Sequence, residues 1–164
     1  MAASTSTSSA DVIEANPGVP YRLTADDFER MIETGIIPDD RRVGLWEGRL
    51  YESMAKKMPH AISSSKLVMA LVRLVPDGWF LWAENPITIA VDKVPLPDLA
   101  IVRGKPDDYK DRRPESGDVA LVIEVADKSL RKDTGPLLES YARAGIPVYW
   151  VVNLAARLIQ VYQG

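Results

Sequence analysis

The apolar run VALVIEVAD, residues 119–127, is the feature that most constrains the fold. Its nearly unbroken Val, Ile, Leu and Ala residues predict a strand that is buried on both faces, and therefore one in the middle of a sheet. Glu124 lies inside this run, where a carboxylate is costly to bury without a partner. Either a metal ion or a salt bridge to a cation of the next helix would satisfy it.

A second acidic residue stands at the start of another strand-like run. In PLPDLAIV, Pro97 restricts Leu96 to extended geometry, so Asp98 is expected at the mouth of the strand. Two carboxylates that neighbouring strands deliver to one sheet edge can hold a divalent cation, which polarises a phosphodiester and activates water. Asp98 and Glu124 therefore predict the skeleton of a metal-dependent nuclease.

The remaining patterns predict one mixed α/β domain over residues 21–164, preceded by a disordered tail over residues 1–20. Helical spacing predicts a first helix between Thr24 and Gly35, a second over about 59–74 and a third over about 134–144. Glu47-Gly48 predicts a hairpin. Strands are expected in WFLWAE, ITIAVD, DLAIVRG, VALVIEVAD, VYWVVNL and RLIQVYQ.

Composition limits the kinds of catalytic and metal site that the chain can form and the cellular location that we expect for it. The 164 residues include no cysteine, which excludes disulfides, thiolate metal sites and cysteine nucleophiles. A formal charge of −3 argues against a dedicated nucleic-acid coat, although a local basic face is compatible with it. No run is long enough to span a bilayer and the N-terminus lacks a secretory pattern, so we expect a cytoplasmic protein without membrane contact. We also expect the natural chain to continue past Gly164.

Several other side chains are candidates for the same site. His60, the single histidine, follows AKKMP at the start of the second helix. It is either a cap or surface residue or a functional residue, and its sequence position near Glu47 favours the second alternative. Lys128 and Lys132 follow Glu124, where they are either solvated or placed to contact phosphate. The four tryptophans are interpreted as core residues rather than as a base-stacking platform.

The segments WEGRLYESMAKKMPHA, ENPITI, PLPDLAIVRG, LVIEVADKSLRKD and YARAGIPVYWVVN resemble the Uma2 family, a domain of unknown function described as a restriction-type endonuclease. The resemblance runs from about residue 21 to residue 162. It implies the PD-(D/E)XK nuclease fold, a mixed central sheet flanked by helices. It also implies that Asp98 and Glu124 bind Mg²⁺ or Mn²⁺, and that His60 matches the family's histidine after the first hairpin.

The sequence departs from the family pattern at two positions of this site. Family members carry a lysine in a segment that resembles Asp-x-x-x-Lys-Leu-x-x-Tyr, and Leu137 stands at the position of that lysine. Lys128 or Lys132 is therefore the candidate replacement. Gly44 stands at the family's early glutamate, and Glu47 is the candidate to compensate. The candidate catalytic residues are thus Asp98, Glu124, Lys128, Lys132, His60 and Glu47.

Three functions follow as hypotheses. The first is a metal-dependent endonuclease that hydrolyses the phosphodiesters of DNA. The second is a catalytically degenerate relative that keeps the fold and binds DNA or a protein without hydrolysis. The third is a homodimeric interaction module built on the aromatic segment YARAGIPVYWVVN.

Overall fold

The computed structural model describes residues 18–38 and 40–164, so most of the predicted tail over residues 1–20 lies outside the described residues. The architecture is mixed α/β, as predicted: a five-stranded mixed sheet with helices, and a separate two-stranded hairpin. The hairpin pairs β1 (Val43–Trp46) with β2 (Arg49–Glu52). The sheet has the order β3-β4-β5-β6-β7, with β3 (Trp79–Ala83), β4 (Leu99–Arg103), β5 (Val119–Ala126), β6 (Val148–Asn153) and β7 (Leu158–Gln163).

Strand β5 occupies the centre of the sheet, which confirms the prediction from its apolar run. It pairs antiparallel with β4 and parallel with β6, and seven of its eight residues are buried. Alternate residues of β4 and β5 point to opposite faces and join two different apolar clusters, because side chains alternate along a strand. Both faces of the sheet are therefore covered.

Three helical segments surround the strands. Helix α1 (Ala25–Glu33) begins with a capping box, in which Thr24 and Asp27 exchange side-chain and backbone hydrogen bonds, and it buries Phe28 completely. Helix α2 (Met58–Leu71) packs on the face of the sheet that carries Leu99 and Ile123. No helix in the described part of the chain is long and apolar enough to cross a bilayer.

The third helical segment begins earlier than predicted and is interrupted. It consists of α3 (Leu130–Lys132), a π turn (Asp133–Leu137) and α4 (Leu138–Arg143). The interruption occurs at Gly135, which has non-helical φ and ψ of −121° and −107° and precedes Pro136. Proline cannot donate a backbone hydrogen bond, and glycine permits the departure from helical geometry.

The prediction of a strand in ITIAVD is wrong. These residues form only isolated bridges, including Ala90 with Lys93, because the chain turns back on itself there. Ile87 and Ile89 are buried by this turn, so their alternation reflects burial in a loop rather than membership of the sheet.

The aromatic residues behind the dimer hypothesis are largely internal. Tyr141 and Tyr149 are buried against each other in the main core, with their ring centroids 5.0 Å apart. They therefore do not supply an exposed self-association surface, and a homodimer stays a prediction.

Candidate active site

The sheet topology brings the two predicted acidic residues to the same edge. Leu99 of β4 pairs with Ile123 of β5, so Asp98, one residue before Leu99, lies next to Glu124 on the neighbouring antiparallel strand. Both line a cavity of about 420 Å³. Three further predicted residues line it as well: His60, Lys128 and Lys132.

Asp98 is held by donors from three parts of the chain. The backbone N–H of Val125 donates to Oδ2 at 2.6 Å, and His60 Nε2 lies 3.0 Å from the same oxygen. Lys56 Nζ donates to Oδ1. Since a carboxylate only accepts, His60 carries its proton on Nε2, and its Nδ1 faces the Ser64 hydroxyl at 3.4 Å. The Asp98 side chain is only 7% exposed, so these donors replace water.

Lys56 is a site residue that the sequence analysis missed. It lies between β2 and α2 and bridges two acids, because its Nζ also donates to Glu84 Oε1 at 2.7 Å. Arg42 is a second donor to Glu84. Burial favours a higher pKa for Glu84, but the hydrogen bonds from Lys56 and Arg42 outweigh it and lower the pKa. The available signal was the basic stretch AKKMP directly before His60, from which no role for Lys56 was predicted.

The buried charge of Glu124 is compensated by fewer hydrogen-bond donors than that of Asp98. It is 8% exposed, and the Tyr141 hydroxyl donates to its Oε1 at 3.1 Å. Burial raises the pKa of Glu124 well above its usual value, and the negative charges of Asp98 and Asp133 raise it further. Lys132 and the Tyr141 hydrogen bond oppose this shift without cancelling it.

Asp133 is a third buried acid at this site, and it was also missed. It is 1% exposed and lines the same cavity at the start of the π turn. The Ser129 hydroxyl donates to Oδ2, and Lys132 Nζ lies 4.0 Å from Oδ1. Burial raises the pKa of Asp133. The sequence signal was its position close after Glu124, in a run that otherwise reads as surface charge.

Glu47 lies apart from the other candidates. It occupies the β1–β2 turn with φ of 51°, and its side chain is 64% exposed with Oε1 4.0 Å from Lys93 Nζ. It is not among the residues that line the cavity. Gly44, at the family's glutamate position, is closely covered: a Cβ there would lie 2.4 Å from Leu96 Cδ1 and 2.6 Å from the Tyr51 hydroxyl.

The two acids on the strands fit a hydrated magnesium ion better than a metal cage. Within residues 18–38 and 40–164, no group of three or more His, Cys, Asp or Glu residues is arranged to hold a metal. Mg²⁺, however, usually keeps several waters and uses one or two carboxylates. A carboxylate offers about four acceptor positions, of which the donors above use three on Asp98 and one on Glu124. The accumulated negative charge is what a cation would relieve.

The fold and the site together define a mixed α/β protein with a carboxylate-lined cavity at one edge of its central sheet. Residues 25–164 match the model of the Uma2 family, whose description is "Putative restriction endonuclease". The chain belongs to this family, and its membership supports a nuclease-type function.

A solved structure shares the fold. It is a protein of Anabaena variabilis described as a "putative nuclease belonging to DUF820", with a TM-score of 0.63 and 18% sequence identity. The similarity covers 86% of this chain and 79% of that one. None of the curated proteins matches this chain.

Proposed function

We propose that this protein is a metal-dependent endonuclease that hydrolyses DNA phosphodiesters, with the PD-(D/E)XK arrangement of acids. The observation that carries the proposal is the placement of Asp98 and Glu124. Asp98, directly before β4, and Glu124, on the adjacent antiparallel strand β5, line one cavity, and the charge of Glu124 is mostly uncompensated.

In this proposal Asp98 and Glu124 hold Mg²⁺ or Mn²⁺. The bound ion would supply a polarised phosphoryl oxygen and a more acidic water. The protein's own part is orientation: Val125 N–H and His60 fix the Asp98 carboxylate, and the Tyr141 hydroxyl fixes Glu124. Rigid ligands of this kind reduce the reorganisation that the reaction would otherwise require.

Lysine side chains of the cavity complete the proposed chemistry. Lys56 contacts Asp98 directly, and Lys132 acts electrostatically on Glu124. A cation near a phosphoryl group stabilises the negative charge that develops on its oxygens. Lys56 is therefore the first candidate to replace the lysine that Leu137 displaces, with Lys132 second and Lys128 third, because of these three lysines it is Lys56 that donates to a carboxylate of the pair.

The test is plasmid cleavage in Mg²⁺ or Mn²⁺ by the wild type, Asp98→Asn and Glu124→Gln. Asp111→Asn is the matched control, because Asp111 is 86% exposed and lies outside the cavity. We expect the wild type and the control to cleave, and both site variants to fall to the level of a metal-free reaction. Equal cleavage by all four proteins would identify a contaminant and overturn the proposal.

A degenerate relative that binds DNA without hydrolysis is the second candidate. The observation in its favour is that Lys56 and His60 already engage both oxygens of Asp98, while Leu137 is apolar and buried. Absence of cleavage, together with DNA binding that survives in Asp98→Asn, would support this candidate over the first.

A further inference from the structure

A second cavity adjoins the carboxylate cavity and differs from it in chemistry. Its volume is about 490 Å³, in the range of sites for small organic ligands. The walls are mainly apolar and include Trp46, Leu50, Pro95, Leu96, Pro136 and Leu137. We refer to it as the apolar cavity.

The two cavities share part of their lining. Glu124, Lys132, Tyr51 and Leu96 contribute to both, so a ligand in the apolar cavity would lie directly beside the carboxylate pair. The charged residues of this lining are two cations, Arg49 and Lys132, and one acid, Glu124, and the rest of it is mostly apolar. A molecule that fits must therefore combine a flat or apolar part with a nearby negative charge.

Packing and hydrogen bonds fix the positions of the residues that line the apolar cavity. Trp46 packs against the main core and has Lys93 Nζ 5.3 Å from its ring centroid. The Tyr51 hydroxyl accepts a hydrogen bond from the Leu96 N–H at 3.2 Å. Pro136 and Leu137 face the cavity from the π turn, and π turns recur at functional sites.

We propose that the apolar cavity binds an unpaired nucleobase of the nucleic-acid strand whose phosphate lies at Asp98 and Glu124. A base beside aromatic and aliphatic walls is stabilised by stacking and burial, and its phosphate meets the cations. A base paired in a duplex cannot enter such a cavity unless it is first extruded. The substrate class is thus a single strand, or a duplex with a displaced base; this inference rests on the proposed function.

The test compares binding of three labelled, hydrolysis-resistant phosphorothioate probes by fluorescence anisotropy in Mg²⁺. They are a single strand of about a dozen nucleotides, an abasic strand of the same length, and the fully paired duplex. The abasic strand keeps the phosphates and lacks the bases. We expect the intact single strand to bind at least about tenfold more tightly than either of the others.

Two matched variants test whether the preference for the intact single strand depends on the apolar cavity. Leu50→Glu places a negative charge at the apolar cavity, and Leu158→Glu places one on β7, outside its lining; the two leucines are 38% and 47% exposed, so both variants should fold. We expect Leu50→Glu to remove the preference for the intact strand and Leu158→Glu to preserve it. Circular dichroism verifies that each variant is folded.

Equal binding of the intact and abasic strands by the wild type would overturn the inference, and this comparison needs no variant. An unchanged preference in Leu50→Glu would overturn it too, as would failure of every probe to bind. Plasmid cleavage that depends on Asp98 would leave the proposed function standing in each of these cases, so the two failures are distinguishable.

Discussion

Asp98, which directly precedes β4, and Glu124 of β5 are neighbours at one edge of the sheet, yet their charges have different partners. Asp98 receives donors from a backbone amide, a lysine and a histidine. Glu124, equally buried, receives one tyrosine hydroxyl and faces two negative side chains. The fold therefore satisfies one acid internally and leaves the other dependent on a proton or an external cation. The first carboxylate is a structural anchor as well as a candidate ligand, and the second is a candidate ligand with few partners inside the protein.

The largest expected effect on stability follows from removing the satisfied acid. Asp98→Ala leaves Lys56 and His60 without their shared partner and leaves the Val125 N–H without its acceptor. Breaking a buried ion pair by removing one partner costs about 3 kcal/mol or more of unfolding free energy. Urea denaturation of the metal-free protein measures this cost, with Asp111→Ala as the exposed control. A loss below about 1 kcal/mol would contradict the anchor role.

Replacement of Glu124 is expected to change the stability of the metal-free protein in the opposite direction to replacement of Asp98. Its pKa is raised in the folded state, so the folded protein holds this proton more tightly than the unfolded chain does. The loss of folding stability that Glu124 causes is absent at a pH below its ordinary pKa of 4.5. This loss grows as the pH rises towards the pKa of Glu124 in the folded state. Metal-free wild type should therefore lose stability as the pH rises through this window, and Glu124→Gln should lose less.

The measurement is urea denaturation of both proteins in EDTA from about pH 5 to about pH 8. The difference between the two proteins reports Glu124 together with its interaction with Asp133, because Asp133 is present in both and its charge also raises the pKa of Glu124. Addition of Mg²⁺ should stabilise the wild type at the upper end of this range and have little effect on Glu124→Gln. Parallel pH profiles for the two proteins would show that Glu124 carries no uncompensated charge.

The contrast between the two acids also marks what the sequence could predict. The apolar run around Glu124 and Pro97 before Asp98 were sufficient to place Glu124 in a central strand and Asp98 at the start of a neighbouring one, because those signals are local. The partners of Asp98 were harder to find. Lys56 lies 42 residues away in sequence and reaches the site through the connection between β2 and α2, which has no periodic pattern. Contacts of this kind depend on tertiary packing.

The π turn was missed for a related reason. Helical spacing predicted a start at about residue 134, yet the segment before it is helical too, and the buried residues Asp133 and Leu137 lie in the turn that joins the two halves. The apolar cavity depends on this turn and on the approach of Tyr51 and Leu96 to Gly44. Neither feature is visible in the spacing of residues along the chain.

The smallest effect is expected at Glu47, the predicted site residue that lies outside the cavity. Glu47→Gln keeps the side-chain shape, so the turn geometry at φ of 51° is not disturbed further. The contact with Lys93 is long, at 4.0 Å, and the Glu47 side chain is mostly exposed, and pairs of this kind contribute little to stability. Unfolding free energy should change by less than about 0.5 kcal/mol, and plasmid cleavage should match the wild type. A loss of cleavage comparable to that of Asp98→Asn would mean that the hairpin moves towards the carboxylates when DNA binds, because in the described arrangement Glu47 cannot compensate for Gly44.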